Sequence, residues 1–351
     1  MARPKLNFGI IGLGAIADKH APAIHALRGG QLHSCYSRSA KKAKAFSGTH
    51  GAEPYSDLKA FLADPELDVV TICTPSGAHL EPGVAAARAG KHVIMEKPLE
   101  VTPARCTRLI RTCAAKRVKL VTIFPSRFKE ANVLMKDALK RGRLGKPVSA
   151  SCHIRWFRPQ SYYDSGAWRG TWDLDGGGCL MNQGIHNVDL FIWLMGDVSE
   201  VSAYMDRPTR KRIEVETNLV ASLKFKSGAL GTIVASTEIY PGYPKSLEIS
   251  GTKGSVASVE EDLVTWDFIN ARPEDRRILR KFATRSNASG GSSDPMAISY
   301  EGHRLQFQEL ADVVQGRKRK ITCDGNEGLR SVKLICAIYK SAQTGKPVKL
   351  R

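Results

Sequence analysis

Apolar residues in the first third of the chain fall into short runs, and between the runs they recur three and four positions apart. The runs at 6–11, 31–37, 69–73, 92–95 and 119–124 are β-rich and predict strands, while residues 56–63 and 81–89 predict amphipathic helices. Strands alternating with helices give the rhythm of a doubly wound parallel sheet. After Phe124 the pattern changes. Residues 130–141 predict a helix ended by Gly142, residues 147–157 a strand of alternating polarity, and residues 180–195 a second helix. Strand runs follow at 198–205, 217–226, 230–237, 245–250 and 254–258, broken by turn signals such as Lys226-Ser227-Gly228. Close strands with short turns predict an antiparallel or mixed sheet. The expected fold is therefore α/β: an N-terminal Rossmann domain over 1–124, then an α+β domain over 125–351 built on a mainly antiparallel sheet. Helical patterns at 300–315 and 326–344 can pack on either domain. The polar, glycine-rich stretch 287–294 reads as a loop and a candidate lid.

Composition narrows the class. The 351 residues, 42% of them apolar, suffice for two cores. No apolar run approaches the ~20 residues of a membrane span, and no signal-peptide pattern opens the chain, so a cytoplasmic protein is expected. The eight cysteines form no Cys-x-x-Cys pair, which predicts reduced core thiols and no metal site. The net charge of +19 is carried partly by basic clusters at 207–212, 272–285 and 317–320. These lack the interleaved aromatics of a single-strand nucleic-acid platform, so nucleic acid is not an expected partner. A solubility surface or an anionic ligand remains as the explanation.

Gly12-Leu13-Gly14-Ala15-Ile16-Ala17 follows the first strand and fits G-x-G-x-x-A. The first glycine permits the turn, the second lets backbone approach a pyrophosphate, and the small third residue lets helix and strand pack closely. Ala15 and Ile16 open the helix whose N-terminal amides would face the phosphates. The acidic residue that binds the adenosine ribose belongs ~20 residues on. Ser37 and Arg38 stand there instead, followed by Lys41 and Lys42. Arg38 can pair with a 2′-phosphate, which favours NADP; alternatively Ser37 bonds a ribose hydroxyl of NAD while Arg38 stacks on adenine.

Thr74-Pro75-Ser76-Gly77-Ala78-His79 and Ala89 through Glu96-Lys97-Pro98 carry a more specific signal. They resemble the third and fourth strand ends of the Gfo/Idh/MocA family, the glucose-fructose oxidoreductases and inositol dehydrogenases. Arg127-Phe128 and Gly176-Gly177-Gly178 match in order, so the resemblance spans essentially the whole chain. It implies cofactor contacts for Thr74, Pro75, His79 and Glu96. Lys97, often followed by a cis bond to Pro98, would lie beside nicotinamide and the reacting hydroxyl. Independently of the family, a lysine ending a parallel strand faces the ligand crevice and can stabilise alkoxide character.

Asn182, His186 and Asp189 stand at helical spacing and are expected on one face. His titrates near neutral pH, and in the family this position is the usual proton acceptor. Asn182 departs from the family's common Asp; members resembling nucleotide-sugar uronate dehydrogenases carry Asn. Asn182 cannot neutralise Lys97 and becomes an orienting group. Arg127, Asn182, His186 and Lys97 are the expected substrate contacts, and Asp189 is either structural or orients the histidine. Trp168 and Arg169, in a loop rich in aromatics, are candidate contacts to nicotinamide or sugar; the tryptophans can equally pack beneath the loop. The expectation is an NAD(P)-dependent oxidoreductase acting on a secondary hydroxyl of a sugar or sugar derivative, assembled as a dimer or tetramer through the open face of the second sheet as in the family. Two rivals share these residues. One is redox-neutral glycoside cleavage through a transient keto-sugar, and the other is an inactive dinucleotide- or sugar-sensing regulator.

Overall fold

The computed structural model describes residues 5–260, 262–283 and 299–350. The chain forms two compact units: Met1–Pro125 with Ser299–Val332, and Ser126–Ile298 with Lys333–Arg351.

Six parallel strands build the first unit: β1 (Leu6–Ile11), β2 (Gly30–Tyr36), β3 (Glu53–Tyr55), β4 (Val69–Ile72), β5 (His92–Met95) and β6 (Leu120–Thr122). Their order is β3-β2-β1-β4-β5-β6, a doubly wound sheet reversing direction beside β1. All four residues of β4 are buried, as expected of a strand covered on both faces. Local chemistry starts the flanking helices. Asp57 caps Leu58–Ala63, and Thr102 caps Pro103–Ala115, which has proline in its first turn.

A single boundary after residue 124 does not describe the chain, because residues 299–332 return to the first unit. The helix Glu301–Val314 explains the return. Its Phe307 is fully buried against Phe8 and His20. The Gln306 side chain accepts from the Phe124 amide at 2.8 Å and donates to the Thr122 carbonyl at 3.0 Å. Those groups stand at and just past the end of β6, where leaving a buried one unsatisfied costs about 1–3 kcal/mol.

The second unit carries an eight-stranded sheet: β7 (Pro147–Arg155), β8 (Val198–Asp206), β9 (Asn218–Phe225), β10 (Leu230–Ser236), β11 (Ser246–Gly251), β12 (Gly254–Val259), β13 (Asp262–Phe268) and β14 (Val348–Lys349). Only β7 and β10 pair in parallel among these described strands. On β9, Leu219, Ala221, Leu223 and Phe225 face inward. Phe225 meets Phe191 of the helix Ile185–Met195 edge to face, with ring centroids 5.4 Å apart. The alternate residues form an open face, where Tyr204 is 81% exposed opposite Val220, and Leu230 is 60% exposed. The basic stretch from Arg272 contains the helix Pro273–Ala283, whose Asp275 accepts from both Arg143 terminal nitrogens at 2.7 and 2.8 Å and from Trp266 at 2.8 Å.

All eight cysteines are free thiols, seven of them buried. Among the described residues no helix is long and apolar enough to cross a membrane. The glycine-rich stretch 287–294 lies outside the described residues.

Candidate active site

In the first unit the turn after β1 is shaped by its glycines. Gly12 has φ +90°, and a Cβ there would lie 2.8 Å from the backbone of Cys73 and Thr74, so no other residue allows this approach to β4. A Cβ on Gly14 would meet nothing within 4 Å, leaving open space above the backbone. The helix Ala17–His25 begins without a side-chain cap, and Ala15 is exposed ahead of it. An uncapped helix start beside an open glycine is what a pyrophosphate needs. Ile16 instead packs toward the core, and Ala17 is fully buried. At the end of β2 the Ser37 hydroxyl accepts from the Ser39 amide at 3.2 Å, and Arg38 is exposed. The residues present fit a dinucleotide, with no carboxylate at the end of β2.

Two side chains expected at the cofactor are buried against protein partners. His79 is 1% exposed, its nitrogens 2.9 Å from the Pro98 carbonyl and 3.0 Å from that of Thr74. It braces the loops after β4 and β5 against each other. Burial pushes its pKa down although Glu100 and both carbonyls favour the charged ring, so a neutral His79 donates to one carbonyl at a time. Glu96 is likewise buried, accepting from His20 at 2.8 Å and from the Lys97 amide at 3.0 Å. Thr74, whose hydroxyl donates to the Ala78 carbonyl, and Pro75 are half-buried on that same strand-end loop. Lys97 is half-buried at the end of β5, and its bond to Pro98 is cis.

In the second unit the glycine triplet is locked from below. Gly176 and Gly177 have φ +78° and +150°, and a Cβ on Gly178 would fall 1.7 Å from the Glu216 carbonyl oxygen. The buried Glu216 carboxylate accepts from the amides of Gly178 at 2.8 Å and Leu180 at 2.9 Å, and from the Tyr339 hydroxyl at 2.8 Å. Burial nevertheless raises its pKa. Nothing local in the sequence announces this anchor, since Glu216 meets the π turn and Tyr339 of the helix Gly325–Thr344 only through tertiary packing.

A π-helical turn, Cys179–Gly184, follows the triplet and precedes the helix Ile185–Met195. Its wider winding takes Asn182 off the 3.6-residue spacing, while His186 and Asp189, three apart on the regular helix that follows, keep it. Asn182 donates through Nδ2 to the buried Asp175 at 2.6 Å, and Asp175 also accepts from the Gly170 amide at 2.9 Å. A carboxylate only accepts, which fixes the amide nitrogen of Asn182 inward. His186 is half-buried on the helix's first turn. Asp189 is fully buried and takes a bidentate pair from Arg127 at 2.6 and 2.8 Å. That pair satisfies both carboxylate oxygens within the fold. Arg127 is correspondingly 3% exposed, with Trp193 stacked 5.5 Å from its guanidinium carbon, which argues against the substrate contact expected of it.

The aromatic loop packs largely on itself. Arg169 lies between Tyr162 and Trp168, 4.2 and 4.5 Å from their ring centres, and donates to the Tyr162 hydroxyl at 2.6 Å. Gln183 donates to that hydroxyl at 3.1 Å. Trp172 meets Tyr339 edge to face. Trp168 and Arg169 remain half-buried and keep surface for a ligand.

Comparison with known proteins adds what geometry alone does not. Residues 6–124 match a family model described as an oxidoreductase family with an NAD-binding Rossmann fold, and residues 133–257 match the GFO/IDH/MocA C-terminal domain. The chain is 31% identical over 257 residues to a myo-inositol 2-dehydrogenase of Thermotoga maritima, covering 72% of this chain and 74% of that one. It is 26% identical to a 1,5-anhydro-D-fructose reductase of Ensifer adhaerens over 98% of both. Among solved structures, the WlbA dehydrogenase of Bordetella pertussis, in complex with NADH and UDP-GlcNAcA, aligns over 100% of this chain and 99% of its own, with a TM-score of 0.89 and 33% identity. The glycine turn, the Glu-Lys-Pro strand end and the histidine helix thus stand in a shared fold, and the chain belongs to the Gfo/Idh/MocA family of oxidoreductases, built on an NAD-binding Rossmann unit.

Proposed function

We propose that this enzyme is a dehydrogenase acting on a secondary hydroxyl of a sugar derivative, with an acidic nucleotide sugar as the best-supported substrate. The observation that carries the reading is the end-to-end likeness to a dehydrogenase solved with NADH and UDP-GlcNAcA. Asn182 supports it, since Asp175 holds its amide nitrogen and no second acid stands at that position.

When bound, nicotinamide supplies the hydride acceptor or donor. His186 takes the hydroxyl proton as hydride leaves the carbinol carbon, and returns it in the reverse direction. Lys97 donates a hydrogen bond to the same oxygen and stabilises its alkoxide character. Asn182 and its Asp175 brace orient the sugar. Trp168 offers an aromatic face and Arg169 a cation for the acidic substrate. Gly12, Gly14 and the amides of Ala15 and Ile16 receive the pyrophosphate, and Arg38 pairs with a 2′-phosphate, so NADP is favoured while NAD is also accepted. The open face bearing Tyr204, Val220 and Leu230 pairs two copies of the chain.

A panel of UDP-GlcNAcA, UDP-GlcNAc, myo-inositol and 1,5-anhydrofructose with both cofactors tests the reading by nicotinamide absorbance. Turnover of the acidic nucleotide sugar at the highest kcat/KM is expected. Preference for an uncharged sugar would overturn the substrate class, and turnover without net cofactor reduction would favour glycoside cleavage instead. Cofactor binding with no turnover of any sugar would favour a regulator.

A further inference from the structure

The Glu96 carboxylate ties together three parts of the first unit. One oxygen, Oε1, accepts from Nε2 of His20 on the helix Ala17–His25 at 2.8 Å and lies 3.6 Å from Nε2 of His303 on the helix Glu301–Val314. The other, Oε2, accepts from the Lys97 amide at 3.0 Å. His20 is completed on its far side by Thr71 Oγ1 at 2.9 Å and Cys73 Sγ at 3.3 Å from Nδ1. All three titratable side chains are buried, with His20 fully so, and Phe307 closes the cluster edge-on.

Chemistry assigns the protons. Burial pushes the His20 pKa down despite its bond to Glu96, so the ring is neutral, donating from Nε2 and accepting at Nδ1. Burial also opposes ionisation of Glu96, but the hydrogen bond from His20 and the neighbouring His303 ring outweigh it and hold the carboxyl well below its usual range. Glu96 is therefore a buried anion. Such a group is retained only where its bonds are satisfied, and here one of those bonds is to the backbone of Lys97.

The same three residues offer metal-ligand atoms within 4.8 Å of one another. The 2.8 Å from His20 to Glu96 is a hydrogen bond, shorter than the ~3.3 Å that two ligands ~2.05 Å from a tetrahedral zinc would keep. The cluster is built as a hydrogen-bonded clasp.

We infer that Glu96, held by His20 and His303, is a positioning residue that fixes the Lys97 main chain and couples it to the helix carrying the dinucleotide turn. The inference rests on the role proposed for Lys97 at the reacting oxygen. Its first test is independent of any substrate. Hydrogen exchange of the NADH-bound protein, read from peptides overlapping at Lys97, is expected to accelerate at least tenfold at that amide in Glu96→Gln and in His303→Ala. In Gln the second group is an amide donor, so it cannot accept from both His20 and Lys97. Unchanged exchange at Lys97 in both folded variants would overturn the inference, as would about one tightly bound zinc or iron per chain in the purified wild type.

The second test uses UDP-GlcNAcA as the probe and a double-mutant cycle. Glu96→Gln is expected to lower kcat at least tenfold, with KM and the NADH Kd within threefold, and to have no further effect in a Lys97→Ala background. A full tenfold loss persisting in that background would show that Glu96 acts elsewhere. If wild type leaves this sugar unchanged, the proposed substrate fails while the exchange measurement still decides the role of Glu96.

Discussion

The proposed mechanism gives the hydroxyl proton to His186. Replacing it with alanine is expected to lower turnover by about 10²- to 10⁴-fold, the usual contribution of a general base, while cofactor affinity stays within a few-fold. Steady-state kinetics beside NADH titration would check this, and near-normal turnover would remove His186 from the mechanism. A second residue-scale outcome concerns Ser37 and Arg38. A charge-assisted bond from exposed Arg38 would favour NADP by roughly tenfold, and Ser37→Asp should reverse the preference by repelling the 2′-phosphate. Titration of both cofactors decides it, with tighter NAD binding by wild type counting against Arg38 as a phosphate ligand. The glycine turn was legible because its chemistry is local, and Lys97 and His186 were proposed from short motifs of the same kind. For Arg127, His79 and Glu96 the motif did not reveal that the side chains are buried against protein partners. His20, Glu216 and Asp175 carry no local signal, since their partners arrive through tertiary packing.

Elements hold these residues in place, and the glycine triplet is the least forgiving of them. A Cβ at Gly178 would strike the Glu216 carbonyl at 1.7 Å, a backbone atom that cannot swing aside. Gly178→Ala is expected to cost about 1–3 kcal/mol or more in stability and to displace Asn182 and His186, abolishing turnover in the fraction that folds. A urea melt and activity assay would check it, with wild-type behaviour contradicting the tight turn. A different element answers to pH. Arg143 holds Asp275 down to about 2, helped by the Arg272 amide and Trp266 and opposed by burial. A carboxylate depressed in the folded state contributes stability that is complete above its ordinary pKa of 3.8 and is lost as pH falls through about 2. Asp275→Asn should therefore reduce stability at neutral pH and flatten the loss between about pH 4 and 2. Urea midpoints across that range report the slope. Apolar periodicity gave most strands to within a residue or two. It missed β3, β13 and β14, which are short or edge elements, and it read the π-helical turn as ordinary helix because its apolar content is the same.

Across the whole molecule, the sequence distinguished two architectures but not the path between them. The return of residues 299–332 to the first unit depends on Gln306 and Phe307 meeting β6 and β1, contacts far apart in the chain that no local pattern encodes. The open face of the second sheet was legible as alternation and has a consequence for assembly. Tyr204 and Leu230 stand exposed on it, and Tyr204→Glu with Leu230→Glu is expected to shift the protein to monomer, which sedimentation or light scattering would detect. An unchanged oligomer, or a wild type that is monomeric, would contradict pairing through this face. The claim that unites all three scales is that this fold removes hydride and proton from an acidic nucleotide sugar. Incubation of the enzyme with UDP-GlcNAcA and excess NAD or NADP, in parallel, read by mass spectrometry of the sugar and absorbance of the cofactor, tests it directly. A product lighter by about two mass units is expected, formed one-to-one with reduced cofactor and absent with His186→Ala. An unchanged sugar nucleotide, or one altered without reduced cofactor appearing, would contradict the claim.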